Sequence, residues 1–141
     1  MHGVYPLDKV APELNGIVDR LNSLPYIRVT GAELGETYWN GTIEPGSPYI
    51  SYEPELLQVG WAWELTNYLI RRVNQKRPEG SLVAVGRVPG DGTIVLTAVA
   101  DKELVTQPGG MRNQISNFWR SVDEVLGDYI ARQNMEIILT P

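Results

Sequence analysis

The sequence predicts an α+β fold: a mostly antiparallel sheet with about three packed helices, in a single domain over residues 1–141. Three observations predict it. Two apolar arms, "SLVAVGRV" and "TIVLTAVA", flank the turn "PGDG" and read as a β-hairpin. Three segments carry apolar residues at helical spacing. The elements follow one another as helix, short strands, helix, hairpin, helix and strand, which lacks the regular strand–helix alternation of a parallel sheet. A chain of 141 residues is long enough to bury a substantial core without disulfides or metal staples.

The first helix is expected from Lys9 to Leu24, where Leu14, Ile17, Val18, Leu21 and Leu24 form one stripe. Asp8 can cap its start, Pro12 is tolerated in the first turn and Pro25 stops it. "YIRVTG" then reads as a strand with Ile27 and Val29 on one face and Tyr26, Arg28 and Thr30 on the other. It is expected to run into the loop "GAELGE", which would wall a ligand site. "TYWNGTI" is a strand or a hairpin tip, "EPGSP" breaks the chain, and "YISYE" is another short strand.

A second helix is expected from Pro54 to Lys76, with Ala62, Leu65, Leu69 and Val73 as its core stripe. Arg71, Arg72, Lys76 and Arg77 gather near its end, where cations suit the helix dipole, and Pro78 and Gly80 terminate it. This basic cluster reads as a solvated helix end. In the hairpin's second arm both faces are largely apolar, so its strands are expected to be central or covered. "VTQPGG" reads as a loop. The third helix is expected from Met111 to Arg132, with Met111, Ile115, Phe118, Val122, Val125, Leu126 and Tyr129 on one side, and "MEIILT" as a closing strand.

Composition narrows the chemistry. There is no cysteine, so disulfides, thiolate nucleophiles and cysteine-ligated zinc are excluded. The single histidine, His2, sits at the N-terminus, which argues against a histidine-based triad or metal site. There is no G-x-S-x-G and no S-x-x-K. The sequence therefore predicts a protein that is not an enzyme and needs no cofactor. A net charge of −5 disfavours stable duplex nucleic acid as a partner. The apolar runs fall far short of the roughly 20 residues a membrane helix needs. The N-terminus "MHGVYPLDKV" lacks the pattern of a signal peptide, so a cytoplasmic location is expected.

Glu33, Glu36 and Glu44 could form a carboxylate set, although nothing beside them supports a metal or acid–base role. "PGGMRNQ" sets two glycines before a helix, with Arg112 and Asn113 in reach of its free N–H groups, as an anion site would. The many tyrosines and tryptophans, beside one phenylalanine, suit stacked bases or protein interfaces. In "GWAW", Trp61 and Trp63 point about 200° apart on a helix, so one can enter the core while the other faces a partner.

The stretches "APELNGIVDRLNSLPYIRVTGAELGE" and "SPYISYEP" resemble proteins related to the tRNA methyltransferase of wybutosine synthesis, and small bacterial and phage proteins with the same opening. The resemblance covers about the first 55 residues and, vaguely, the later "FWRSVDEVL" helix. It implies a helix-and-sheet domain with a nucleotide-scale pocket beside the glycine loop. Thr30 and Gly35 match the family loop, while its serines, cysteine and basic residue are replaced in Gly31, Ala32, Glu33, Leu34 and Glu36. That departure speaks against methyl transfer.

The leading expectation is thus a non-enzymatic protein that binds or sequesters a small nucleotide-like ligand, by analogy a phage-encoded anti-defence protein acting as a homo-oligomer. Arginines would pair with phosphate and aromatic rings would stack on the base. The candidate ligand-binding residues are Arg28, Thr30, Glu33, Tyr38, Trp39, Trp61, Arg87, Arg112, Asn113, Trp119 and Arg120. A protein–protein module (an immunity-type inhibitor, a secretion adaptor or a virion connector subunit) is the first alternative. A degenerate methyltransferase-like enzyme is the second.

Overall fold

The computed structural model describes residues 11–35, 48–77, 82–99 and 108–139, with side chains of the last segment described from 113 to 133. Within them lie α1 (Asn15–Asn22), β1 (Ile27–Glu33), β2 (Tyr49–Pro54), α2 (Val59–Lys76), β3 (Val83–Arg87), β4 (Ile94–Val99) and α3 (Pro108–Leu139). The strands form one sheet in the order β1-β2-β4-β3, every neighbouring pair antiparallel. This is the α+β architecture that the sequence predicts. No helix among the described residues is long and apolar enough to cross a membrane.

Strand alternation sorts the sheet into two faces. Ile27, Val29, Ala32, Ile50, Tyr52, Ala84, Ile94, Leu96 and Ala98 are buried on one of them. The helices cover that face with the stripes read from the sequence: Leu14, Ile17, Val18 and Leu21; Ala62, Leu65, Leu69 and Val73; Ile115, Phe118, Val122, Val125 and Leu126. β1 keeps its apolar residues inward only because its register shifts between Val29 and Gly31. Such a bulge inserts one residue, so the inward series passes from Val29 to Ala32 rather than Gly31. Tyr26, assigned by alternation to the Arg28 face, is buried as well, because it precedes the strand in a turn.

A polar chain is buried in this core. The Thr66 hydroxyl donates to the Ala62 carbonyl at 2.8 Å, so the Tyr52 hydroxyl must donate to Thr66 Oγ1. This links β2 to α2 and satisfies both buried hydroxyls. Burial drives the Tyr52 phenol above its ordinary ionisation range, and burial raises Tyr26 as well.

Several boundaries differ from the sequence expectation. α1 is shorter than expected because Pro12–Leu14 forms a 3₁₀ turn first; Asp8 and Lys9 lie outside the described residues. Pro54 ends β2 rather than starting a helix, opposite Ile27. A proline is tolerated there because a strand terminus can do without a ladder N–H. A 3₁₀ turn, Leu56–Gln58, follows, and α2 begins only at Val59. α3 starts at Pro108, a residue suited to a first helical position, so Gly109 and Gly110 belong to the helix. It continues to Leu139, where the sequence suggested a closing strand. No glycine or proline interrupts 128–139, and five apolar-rich residues are too few for periodicity to separate helix from strand. β4 is central as expected, but β3 is an edge strand. At the hairpin tip, Gly90 and Gly92 adopt φ of 100° and 91°, which side chains resist. "TYWNGTI" and "EPGSP" lie outside the described residues.

The buried phenol gives a signed pH dependence. In the unfolded chain Tyr52 ionises near pH 10, whereas the fold holds it protonated. Its contribution is therefore complete below about pH 10 and is lost above it, by up to about 1.4 kcal/mol per pH unit. Urea denaturation across this range should show that alkaline loss, and Tyr52→Phe should reduce it, leaving the smaller part due to Tyr26.

Candidate functional site

A cavity of about 640 Å³ opens at the end of the sheet where β2 turns into α2 and the β3–β4 hairpin projects. One wall comes from Pro54, Leu56, Val59 and Trp63, the other from Val88, Gly92, Thr93 and Ile94. Arg28, Glu53 and Glu55 supply the charges. The late start of α2 makes this space: the four residues from Glu55 to Gln58 leave the sheet before the helix begins to cover it. The core stripe of α2, read backwards by helical spacing, reaches Gln58 and Val59, which leaves Leu56 and Leu57 off the core. They are 86% and 95% exposed, and Val88 across the cavity is 57% exposed. Trp61, one turn along α2 from Leu57, is 57% exposed with its ring edge-on to Tyr26, centroids 5.7 Å apart.

Two of the cavity's charged groups are tied to one another. Arg28 on β1 and Glu53 on β2 are directly paired in the ladder, and the guanidinium hydrogen-bonds the carboxylate. The Glu55 N–H donates to the Tyr26 carbonyl at 2.9 Å, which anchors the chain as it leaves β2. At the hairpin tip, the N–H and hydroxyl of Thr93 both donate to Asp91, at 3.0 and 2.6 Å, and hold that carboxyl below its usual range. The lining is therefore largely apolar, with the Arg28–Glu53 ion pair at one side.

The sequence-based candidates do not converge here. Arg28 lines the cavity, whereas Trp61 is outside its lining and packs on Tyr26. Thr30 shares a hydrogen bond with Ser51 at 2.9 Å on the sheet face away from the helices. Glu33 is exposed at the far end of β1. The stretch that promised a ligand loop is strand as far as Glu33, and its continuation is a clasp. The Trp119 indole donates to the Leu34 carbonyl at 2.7 Å, and Gly35 turns at φ +108° against Pro48. Trp119 is 2% exposed and packed edge-on to Phe118, so it is a core ring with no face free for stacking.

Arg87 is exposed on β3, the opposite edge of the sheet from Arg28, and Arg120 is exposed on α3, 3.4 Å from Asn117. Asn113 is exposed too, and α3 begins at Pro108, so Arg112 and Asn113 stand a turn inside the helix instead of at its open N–H groups. The Arg112 side chain, Tyr38, Trp39, Glu36 and Glu44 lie outside the described residues. No group of three or more His, Cys, Asp or Glu that could hold a metal occurs among the described residues.

The residues that sequence reading missed are Glu53, Leu56, Val59, Trp63 and Val88. Two signals pointed to them: the paired leucines off the helix stripe, and the opposed tryptophans of "GWAW", of which Trp63 turns to the cavity. Comparison of the chain with protein-family models, with curated proteins and with solved structures gives no match.

Two substitutions separate architecture from site. Trp119→Phe strands the Leu34 carbonyl and should lower stability by about 2 kcal/mol in chemical denaturation. The Arg28–Glu53 side chains are 41% and 47% exposed. An ion pair so open to water contributes little, so Arg28→Ala should change stability by less than about 1 kcal/mol in the same measurement.

Proposed function

We propose that the chain is a non-enzymatic binding module whose cavity receives an apolar segment of a partner protein flanked by basic residues. One observation carries this reading: two of the exposed large hydrophobic side chains among the described residues, Leu56 and Val88, face one another across the same cavity, with Trp63 in its lining. Grouped exposure of this kind has a solvation cost that binding removes, and it marks interaction surfaces. Tryptophan and an open apolar lining suit an interface hot spot. The basic flank follows from charge: with Glu53 paired to Arg28, the exposed Asp91 beside the cavity adds a carboxylate, on a chain of net charge −5.

A small nucleotide-like ligand is the second reading. It is favoured by Arg28 and Trp63 lining the same cavity, whose volume is of ligand size. It is weakened by the dispersal of Arg87 and Arg120 and by the engagement of Arg28 with Glu53. A second copy of the chain, as in the homo-oligomer expected from the sequence, is a further occupant that the test distinguishes.

Selection of displayed random peptides on the purified chain tests the proposal. The expected consensus is apolar anchors beside Lys or Arg, with affinity weakened at least roughly tenfold by Leu56→Asp. Because Leu56 is exposed, that variant should unfold at the parent's temperature. Selection of no consensus would contradict the proposal. So would an Arg28-dependent thermal shift with nucleotides, or self-association that Leu56→Asp abolishes.

A further inference from the structure

β3 is an edge strand, yet part of its outer edge is already paired. The Ala84 N–H donates to Asn74 Oδ1 at 2.8 Å, and Asn74 Nδ2 donates back to the Ala84 carbonyl at 3.0 Å. In an antiparallel ladder, alternate residues direct both backbone groups towards a given neighbour or away from it. A residue that gives both groups to Asn74 therefore faces away from β4, on the side where a fifth strand would lie. The carboxamide, with one donor and one acceptor at the right separation, matches the hydrogen bonds such a strand would make. Asn74 reaches this place from the last turns of α2, whose preceding residue, Val73, is fixed in the core.

We propose that Asn74 is a built-in substitute for a fifth strand, which keeps a second copy of this chain from extending the sheet at β3. An open edge with a β-rich, largely apolar sequence such as "SLVAVG" is a template for such pairing. With Ala84 occupied, an incoming strand loses its hydrogen bonds at the second residue of β3 and meets a helix side chain there. Gly86 marks the limit of the device. By the same alternation its backbone groups face outward, and it is exposed.

Amide hydrogen exchange with sedimentation velocity tests this. In the parent chain the Ala84 amide should exchange at least about tenfold more slowly than that of Gly86, although both face the same edge. Asn74→Ala should remove the difference and produce species larger than the parent's at high concentration. Asn74→Asp, which keeps the acceptor and the volume, should retain Ala84 protection in part and associate less. Equal exchange at Ala84 and Gly86 in the parent would overturn the proposal. Loss of Ala84 protection in the folded variants without any new association would overturn the blocking role.

Discussion

Everything in this molecule depends on burying one face of a four-stranded sheet. Among the described residues, the inward side chains of β1, β2, β4 and β3 share one core with the stripes of α1, α2 and α3. That requirement fixes details which look local. The bulge after Val29 exists because Ala32, and not Gly31, must point inward. The Tyr52–Thr66 hydrogen bond exists because a hydroxyl carried under α2 must find a partner there. The Trp119 indole closes the far end of β1 by holding the Leu34 carbonyl.

The same requirement explains the cavity. α2 can cover the sheet only from Val59 onward, because Pro54 ends β2 and a short 3₁₀ turn intervenes. The sheet end near Glu53 and Ile94 is left open, and Leu56 and Leu57 are carried past the core and stand exposed. Exposed leucines contribute little to the core, and the proposed binding would remove the solvation cost of Leu56 and Val88 at the cavity. Asn74 does the opposite at the sheet's edge, where backbone groups that could attract another chain are occupied internally.

Much of the fold was legible in the sequence, for physical reasons. Helix stripes such as Leu14–Ile17–Val18–Leu21 and the "PGDG" hairpin depend on local spacing and local turn chemistry. The boundaries were less legible because they depend on tertiary context. Pro54 could equally have begun a helix, and "MEIIL" carries no period that separates a strand from the end of a long helix. The site was read poorly for a related reason. Arginines and aromatic rings can be counted in a sequence, but their convergence cannot. Arg28 and Arg87 fall on opposite edges of the sheet, and Trp119 belongs to the core. Glu53 and Val88 are 35 residues apart in the chain and meet only because the hairpin folds back beside β2.

The central claim is that the open end of the sheet, between β2–α2 and the hairpin tip, is the binding surface. Amide chemical-shift mapping during titration with a peptide of apolar anchors and basic flanks tests it most directly. The account expects the largest shifts at Arg28, Glu53–Val59, Trp63 and Val88–Ile94, with little change at Arg87 or along the outer face of α3. Shifts centred on those latter surfaces, with the cavity residues unmoved, would contradict it.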